Sequence, residues 1–296
     1  MSADLSVILV NYNAGAELRH ALGSMVDHLG DLAWEAVVVD NASTDGSAVV
    51  ADAFAPRVRS IRNTENVGFG RGVNQGARVS AAPLLLIMNP DCRLTAGAVA
   101  AMRGVLEDQP TCAVVGPRIL DPDGNLQGSA RGDPDMLTGL FGRTSSLRGF
   151  LPFLPVAQRN VVAEAAIGTG LPSVRVDWVS GACLLVRRTV FDDVGGFDER
   201  YFLYWEDADL CRRVRGLGHE IRYTPQAVAV HTVGRSSQTA RAASIRAFHA
   251  SAYLYYTTHV APGVFNPKRY LARALLGLRC AVQLRRAPSS GHGRAG

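Results

Sequence analysis

Seven polar residues of this 296-residue chain fall where an open α/β sheet binds its ligands: Asn11, Asn13, Asp40, Asn41, Asn66, Asn89 and Asp91. Each lies just past the C-terminal end of a strand-like run or in the loop that follows, and that rim carries the ligands of such sheets. Asn and Asp also favour turns and caps for local reasons. Four successive strands ending this way point to a site. Within the set, Asn89-Pro-Asp91 follows the wholly apolar run Leu84–Met88. A carboxylate delivered to the rim by a buried strand, beside an amide oxygen, suits a hard Mg²⁺ or Mn²⁺ ion shared with phosphate groups. Such an ion neutralises charge on a departing diphosphate. The structural alternative is that Asp91 caps a helix ahead of Thr95.

A second cluster, Phe197-Asp-Glu-Arg-Tyr-Phe-Leu-Tyr-Trp-Glu-Asp-Ala-Asp209, leads aromatic residues into three carboxylates at a helix start. Acidic residues in a first turn stabilise a helix by themselves. They also make a general base: neighbouring carboxylates push a pKa up while the helix N-terminus pushes it down, leaving an ionised acceptor for a hydroxyl proton. Glu206 and Asp209 fall roughly on one side of the helix, and Asp207 projects about 100° from Glu206. Which side faces a ligand is open at this level.

Three further segments carry chemistry. In Asn66-Val-Gly-Phe-Gly-Arg-Gly-Val-Asn-Gln-Gly76, glycines at alternate positions are expected to let the backbone approach a ligand beside Asn66, Arg71 and Asn74. Val73 stands where G-x-G-x-x-G requires its third glycine, and the segment follows the third strand, so a dehydrogenase is excluded. Trp178-Val-Ser-Gly-Ala-Cys183 offers an aromatic and small residues as a sugar-sized floor. His231 follows a strand and can reach the rim as a metal or diphosphate ligand, although a lone strand-end His is often structural.

The elements that must position these residues alternate as in a parallel sheet with crossover helices. Strands are expected at Leu5–Val10, Ala36–Val39, Val58–Ile61, Leu84–Met88 and Ala113–Val115. Helices are expected at Ala16–His28, from a Ser43 or Thr44 cap through Phe54, at Phe69–Val79 and at Ala96–Glu107. Order weakens between Asp121 and Arg175, a long irregular insert of the kind that is usually functional or disordered. It resumes with strands at Val176–Val179 and Ala182–Arg187, helices at Thr189–Val194 and Glu206–Arg215, and closing strands at His219–Tyr223 and Ala227–Val230.

Composition removes several classes. At 47 % apolar and 19 % charged residues the chain is that of a globular protein. No apolar run approaches the ~20 residues of a membrane span. The N-terminus enters a strand without a basic region or cleavage site, so no signal peptide is expected. Five dispersed cysteines without a C-x-x-C pair suit reduced thiols and a cytoplasmic location.

Taken together, Val10-Asn-Tyr-Asn13, Val39-Asp-Asn-Ala-Ser-Thr-Asp-Gly46, Asn66–Asn74, Asn89-Pro-Asp91, Trp178–Ala182, Trp205-Glu-Asp-Ala-Asp-Leu-Cys-Arg212 and His231-x-x-Gly-x-Ser236 occur in one order over residues 5–237. This set resembles the family 2 inverting glycosyltransferases of the GT-A fold, and within them the bacterial rhamnosyltransferase-like branch. The resemblance implies a nucleotide-sugar donor whose base is bound by Asp40. It places Val10, Asn11 and Asn13, with Asn66, Gly68, Arg71 and Asn74, around the donor. Asp91 matches the last acid of the family's metal-binding D-x-D, whose first acid is here Asn89. Asp207 matches the catalytic base, with Trp178, Gly181, Ala182, Trp205 and Glu206 about the sugar and acceptor. His231 falls at a position associated with the metal or diphosphate. By similarity to the branch the donor is dTDP-L-rhamnose, with UDP- and GDP-sugars as rivals. The acceptor is a hydroxyl of a glycan or of a polyprenyl-diphosphate-linked glycan, in cell-envelope polysaccharide synthesis.

The implied architecture is a GT-A catalytic domain at 1–237, with a nucleotide-sugar half to about residue 120 and an acceptor half beyond it. A basic helical extension occupies 238–296. The charge is divided accordingly. Before Arg222 stand 20 basic and 26 acidic residues, net −6; from Arg222 onward stand 11 basic and no acidic ones. A helix is expected at Pro267–Arg286, with Leu271, Leu275, Leu278 and Val282 on one face and Arg269 and Arg273 opposite. That stripe either packs on the catalytic domain or lies on an anionic membrane, peripherally, with apolar help from Phe150–Pro155. Nucleic acid is excluded as a partner, because the motifs are acidic and no interleaved aromatic–basic sheet appears. Two rivals to a sugar transferase remain. A nucleotidyltransferase lacks its Gly-rich first loop here, and a non-catalytic nucleotide-sugar binder or scaffold would need no Asp207.

Overall fold

The computed structural model describes residues 3–30, 32–132, 170–232 and 241–286. Phe150–Pro155, Ser236 and the expected boundary at 237 lie outside the described residues. A ten-stranded sheet in the order β3-β2-β1-β4-β11-β6-β12-β5 forms the centre, with β7 on β6 and β9 on β12. Four adjacent strands, β1 (Leu5–Asn11), β2 (Trp34–Asn41), β3 (Val58–Asn63) and β4 (Leu84–Met88), run parallel, and β6 and β12 form a second parallel pair. β1 reads LSVILVN and is buried throughout, as a central strand covered on both faces must be. Its odd residues Leu5, Val7 and Leu9 enter one core with α1 (Glu17–His28) and α3 (Ala98–Asp108). Ile8 and Val10 enter the other with α2 (Phe69–Arg78) and α5 (Glu206–Gly216). Edge strand β3 is largely exposed, and its Arg59 and Arg62 pair with Glu35 and Asp52 at 2.8 and 2.7 Å. Charge of this kind discourages edge-to-edge pairing.

The rest of the sheet comes from β5 (Cys92–Leu94), β6 (Cys112–Leu120), β7 (Leu126–Gln127), β9 (Val174–Val176), β11 (Cys183–Arg187) and β12 (Glu220–His231). β8 (Ala130–Arg131) and β10 (Trp178–Val179) pair separately. β11 runs antiparallel between β4 and β6, so residues expected to form an acceptor half complete the same sheet. A short α4 (Arg188–Asp193) follows β11.

Four local expectations are corrected. The segment after β2 is a 3-10 turn, Ser47–Phe54, capped by Gly46 at φ 80° and by no side chain. Ser43 is instead engaged with Asn11, Asn13 and Asp40. The two closing strands are one, β12, with register shifts at Glu220/Ile221 and Thr224/Val228. Pro225 lacks an N–H and sits in the second irregularity, where a bulge tolerates it. The continuous stretch expected at Val176–Val179 divides at Asp177, because β9 pairs with β12 and β10 with β8. Finally, the glycines of α2 face protein atoms. A Cβ on Gly72 would meet Val10 at 2.9 Å and one on Gly76 would meet Ile8 at 2.6 Å. Their absence lets the helix lie close on β1.

The C-terminal extension forms α6 (Arg241–Tyr255), a π turn (Tyr256–Val260) and α7 (Pro267–Arg286). It is latched to α5. Trp205 packs on Tyr255 and Phe248 with ring centroids at 5.3 and 5.9 Å. Ser251 donates to the Leu203 carbonyl at 2.9 Å. His259 Nε2 lies 2.6 Å from Asp209 Oδ1, and Arg213 holds the other oxygen at 2.7 Å. Asp209 is only 1 % exposed, so its charge depends on those two partners. All five cysteines are free, and four of them are buried. Replacing His259 by Leu is expected to lower stability by about 1–3 kcal/mol, the penalty for a buried carboxylate losing one partner. A urea midpoint unchanged from wild type would refute the latch, and His259→Gln should recover part of the loss.

Candidate active site

The parallel strands β1 to β4 end at one rim, and the loops after the strands β1, β2 and β3 are stitched by side chains. Asn11 Nδ2 donates to Asp40 Oδ1 at 2.6 Å, to Ser47 Oγ at 2.9 Å and to Ser43 Oγ at 3.1 Å. Asp40 Oδ2 accepts from the Ser43 N–H. Asn13, at φ 53°, accepts from the Thr44 N–H, and Asp45 accepts from the Gly15 N–H at 2.7 Å. These bonds, from Ser47 and Gly15, hold Asp45 below the usual carboxylate range despite the opposing effect of partial burial. Asn41 reaches the next loop, donating to Asn66 Oδ1 and to the Gly68 carbonyl. Asn66 Oδ1 also accepts from the Gly68 N–H. Three loops therefore share one polar layer beneath the rim.

Beyond β4 the chain turns through Asn89-Pro90-Asp91 into β5, which pairs antiparallel with the end of β12, Cys92 opposite His231. The Thr232 N–H donates to the Asp91 carbonyl at 2.9 Å. This ladder brings Asp91 Oδ1 within 3.2 Å of His231 Nε2, and Asn89 Nδ2 within 3.3 Å of the same nitrogen. Gln127 fixes the ring: its Nε2 donates to the His231 carbonyl at 2.7 Å, so its Oε1, 2.9 Å from Nδ1, accepts the Nδ1 proton. In the neutral ring Nε2 then carries the lone pair, on the side of Asp91 and Asn89, the arrangement of a histidine oriented for a cation. The donor set of one carboxylate, one imidazole and one amide fits a divalent ion. Among the described residues no three His, Cys, Asp or Glu side chains converge, so most coordination positions fall to other ligands. That suits Mg²⁺, which keeps waters and substrate phosphates. Asp91 is not a helix cap, since α3 begins after Gly97 and Thr95 bonds the Val228 carbonyl.

On the opposite side stands the first turn of α5. Glu206 is 5 % and Asp209 1 % exposed, and Asp207 is the half-exposed one. Asp207 Oδ2 accepts from the Gly181 N–H at 2.9 Å and Oδ1 from the Ala208 N–H at 2.8 Å. Ala182, next to Gly181, accepts from the Asn89 N–H at 2.9 Å. One turn thus connects the carboxylate on α5 with the Asn89–Asp91 loop.

Several expected site residues do other work. Asn74 is buried, donating to the Phe197 carbonyl and accepting from the Phe197 N–H, both at 2.9 Å, so it anchors the 196–199 loop. Arg71 is paired with Glu199 at 3.0 Å. Hydrogen bonds from Asn74, then from Arg78 and Arg71, hold Glu199 below the usual carboxylate range. Val10 is buried beneath α2 and offers the rim only its backbone. A Cβ on Gly68 would meet the Phe202 carbonyl at 2.5 Å, so the close neighbour of this glycine is protein. Trp178 donates to the Gly132 carbonyl and lies under the Arg131 guanidinium. Trp205 faces the extension, and Glu206 turns inward.

Other participants had no signal in the sequence. Gln127 orients His231 from a two-residue strand, and His259 holds the α5 turn from 50 residues away. Phe202 exposes its ring at the rim, while its carbonyl accepts from the Phe69 N–H.

The model of the family "Glycosyl transferase family 2" matches residues 6–154. An N-acetylglucosaminyl-diphospho-decaprenol L-rhamnosyltransferase of Mycobacterium tuberculosis is 34 % identical over 96 % of this chain and 94 % of its own length. The low-salt glycan biosynthesis hexosyltransferase Agl10 of Haloferax volcanii is 26 % identical over 73 % of this chain and 62 % of its own. Among solved structures, GalNAc-T7 with UDP, GalNAc and Mn²⁺ superposes with TM-score 0.61 at 15 % identity, over 92 % of this chain and 55 % of that one. The mannosyltransferase PcManGT of Pyrobaculum calidifontis, in complex with GDP-Man and Mn²⁺, gives 0.58 at 19 % identity over 97 % of this chain and 73 % of that one. Those two similarities bear on the fold, which is GT-A. With a family match over half its length and a relative 34 % identical from end to end, the chain belongs to the family 2 glycosyltransferases.

Proposed function

We propose that this enzyme transfers L-rhamnose, with inversion, from dTDP-L-rhamnose to a hydroxyl of a polyprenyl-diphosphate-linked N-acetylglucosamine in cell-envelope polysaccharide synthesis. The similarity to the M. tuberculosis rhamnosyltransferase over nearly the whole of both chains supports the donor and acceptor classes. The observation that carries the chemistry is the half-exposed Asp207, held between two backbone N–H groups while its acidic neighbours are buried.

In this reading the stitched loops after β1, β2 and β3 seat the nucleotide. Asp40 directs its remaining lone pairs to the base, and Asn11 and Asn13 fix the loop that covers it. Asp91 and His231, with Asn89, would hold a Mg²⁺ or Mn²⁺ ion. When bound, such an ion supplies positive charge to the leaving diphosphate. Asp207 accepts the proton of the acceptor hydroxyl as it attacks the anomeric carbon, and its two N–H partners fix the carboxylate's orientation for that step. One displacement at that carbon inverts its configuration, and no residue need bond covalently to the sugar. A lipid-linked acceptor places the reaction at a membrane face.

Asp207→Asn is expected to abolish transfer while donor affinity stays within about twofold, because the amide keeps the shape and loses the basicity. Retained turnover in a purified assay would end the assignment, and so would weakened donor binding alone. Gln127→Leu frees the His231 ring and is expected to weaken Mn²⁺ binding by about 10–100-fold, as loss of a ligand's orienting partner does. Electron paramagnetic resonance of free Mn²⁺ reads this without turnover, and an unchanged affinity would count against the site. A panel of dTDP-, UDP- and GDP-sugars, scored by released diphosphate with and without polyprenyl-diphosphate N-acetylglucosamine, tests the substrates. Preference for another donor would replace rhamnose in this reading.

A further inference from the structure

Helix α7 has two apolar faces, and only one is covered. Ala272 and Leu276 are buried against the rest of the extension. Leu271, Leu278 and Val282 are spaced by seven and four residues, within about 40° of one another around the helix, and they point away from that contact. Leu271 is 53 % and Leu278 66 % exposed. The expectation that this stripe packs on the catalytic domain is therefore corrected, with Leu275 half-buried at its margin. Before the helix, Val264 and Phe265 extend the exposed apolar surface, Phe265 at 92 %. Large apolar side chains exposed together along one helix face mark an interaction site.

Its charge identifies the occupant. Lys268 and Arg286 fall on one flank of the stripe and Arg285 on the other, all exposed, and no acidic residue follows Glu220 to offset them. A protein partner would normally meet such an apolar stripe with apolar groups of its own and mixed rim charge. An apolar centre bordered only by cations complements an anionic bilayer, whose acyl region takes the stripe and whose headgroups take the cations. Among the described residues no helix is long and apolar enough to cross a membrane. We infer that α7 lies in the plane of an anionic membrane surface, with Leu271, Leu278, Val282 and Phe265 inserted at the headgroup boundary. This deepens the reading above, in which the acceptor is lipid-linked, but its surface argument and its test need neither donor nor acceptor.

The test is co-sedimentation of the full chain with vesicles of phosphatidylcholine and phosphatidylglycerol, and of phosphatidylcholine alone, none carrying acceptor. Wild type should bind the anionic vesicles, and far less the neutral ones. Arg285→Gln with Arg286→Gln should weaken partitioning about 25-fold, about fivefold for each cation near the surface. Leu271→Asn with Leu278→Asn should weaken it about tenfold or more. Both pairs are exposed, so urea midpoints should match wild type and separate lost docking from lost folding. Absence of binding to anionic vesicles, or variants that bind as wild type does, overturns the inference. Self-association of wild type that the leucine pair abolishes, without vesicle binding, would also overturn it by assigning the stripe to a second copy. If the donor panel fails while vesicle binding holds, the substrate reading falls and the docking surface stands.

Discussion

The two sides of the rim are joined through one backbone turn, Ser180-Gly181-Ala182, which hydrogen-bonds in two directions. The Gly181 N–H meets the Asp207 carboxylate, and the carbonyl of the next residue meets the Asn89 N–H. The ends of two adjacent residues therefore set the spacing between the Asp207 carboxylate on α5 and the Asn89–Asp91 loop after β4. The turn lies directly against the carboxylate's own side chain: the Cβ of an alanine at 181 would stand 3.4 Å from that of Asp207, in van der Waals contact. Backbone dipoles so fixed need no reorganisation when charge shifts during a reaction.

Much of this was legible in the sequence. Strand β4, at Leu84–Met88, and helix α7, at Pro267–Arg286, match their expected bounds, because a wholly apolar run and a long amphipathic period are strong local signals. The Asn and Asp residues clustered at strand ends in the sequence do meet at one rim, bonding one another across the loops. The 100° offset of Asp207 from Glu206 foretold that the three acids would face different surroundings, although only packing decided that Glu206 and Asp209 turn inward.

What was not legible was decided at a distance. The strand Cys92–Leu94 has too few residues for any period, and it exists because β12 offers it a partner 135 residues later. Without that ladder His231 reads as a lone strand-end histidine; with it, the ring stands beside Asp91. The glycines of α2 were open to two explanations, room for a ligand or room for a strand, and sequence spacing is the same for both. Contacts with Val10 and Ile8 chose the second. Asn74 and Trp205 likewise carry residue types that suit a pocket, and their partners, Phe197 and Tyr255, come from elements whose proximity no local pattern encodes.

The latch between His259 and Asp209 bears on how the chain can be divided. The change of charge sign near residue 222 invites a cut into a catalytic module and an attachment module. The contacts refuse it: an enzyme ending before α6 would leave Trp205 without Tyr255 and Phe248, and Asp209 with a single partner, two residues from Asp207. Extensions exchanged between relatives would have to bring their own α5 surface with them. In this fold the tail that differs most in charge from the domain is part of the frame holding the helix that carries Asp207, so modular design has to treat the two as one heritable unit.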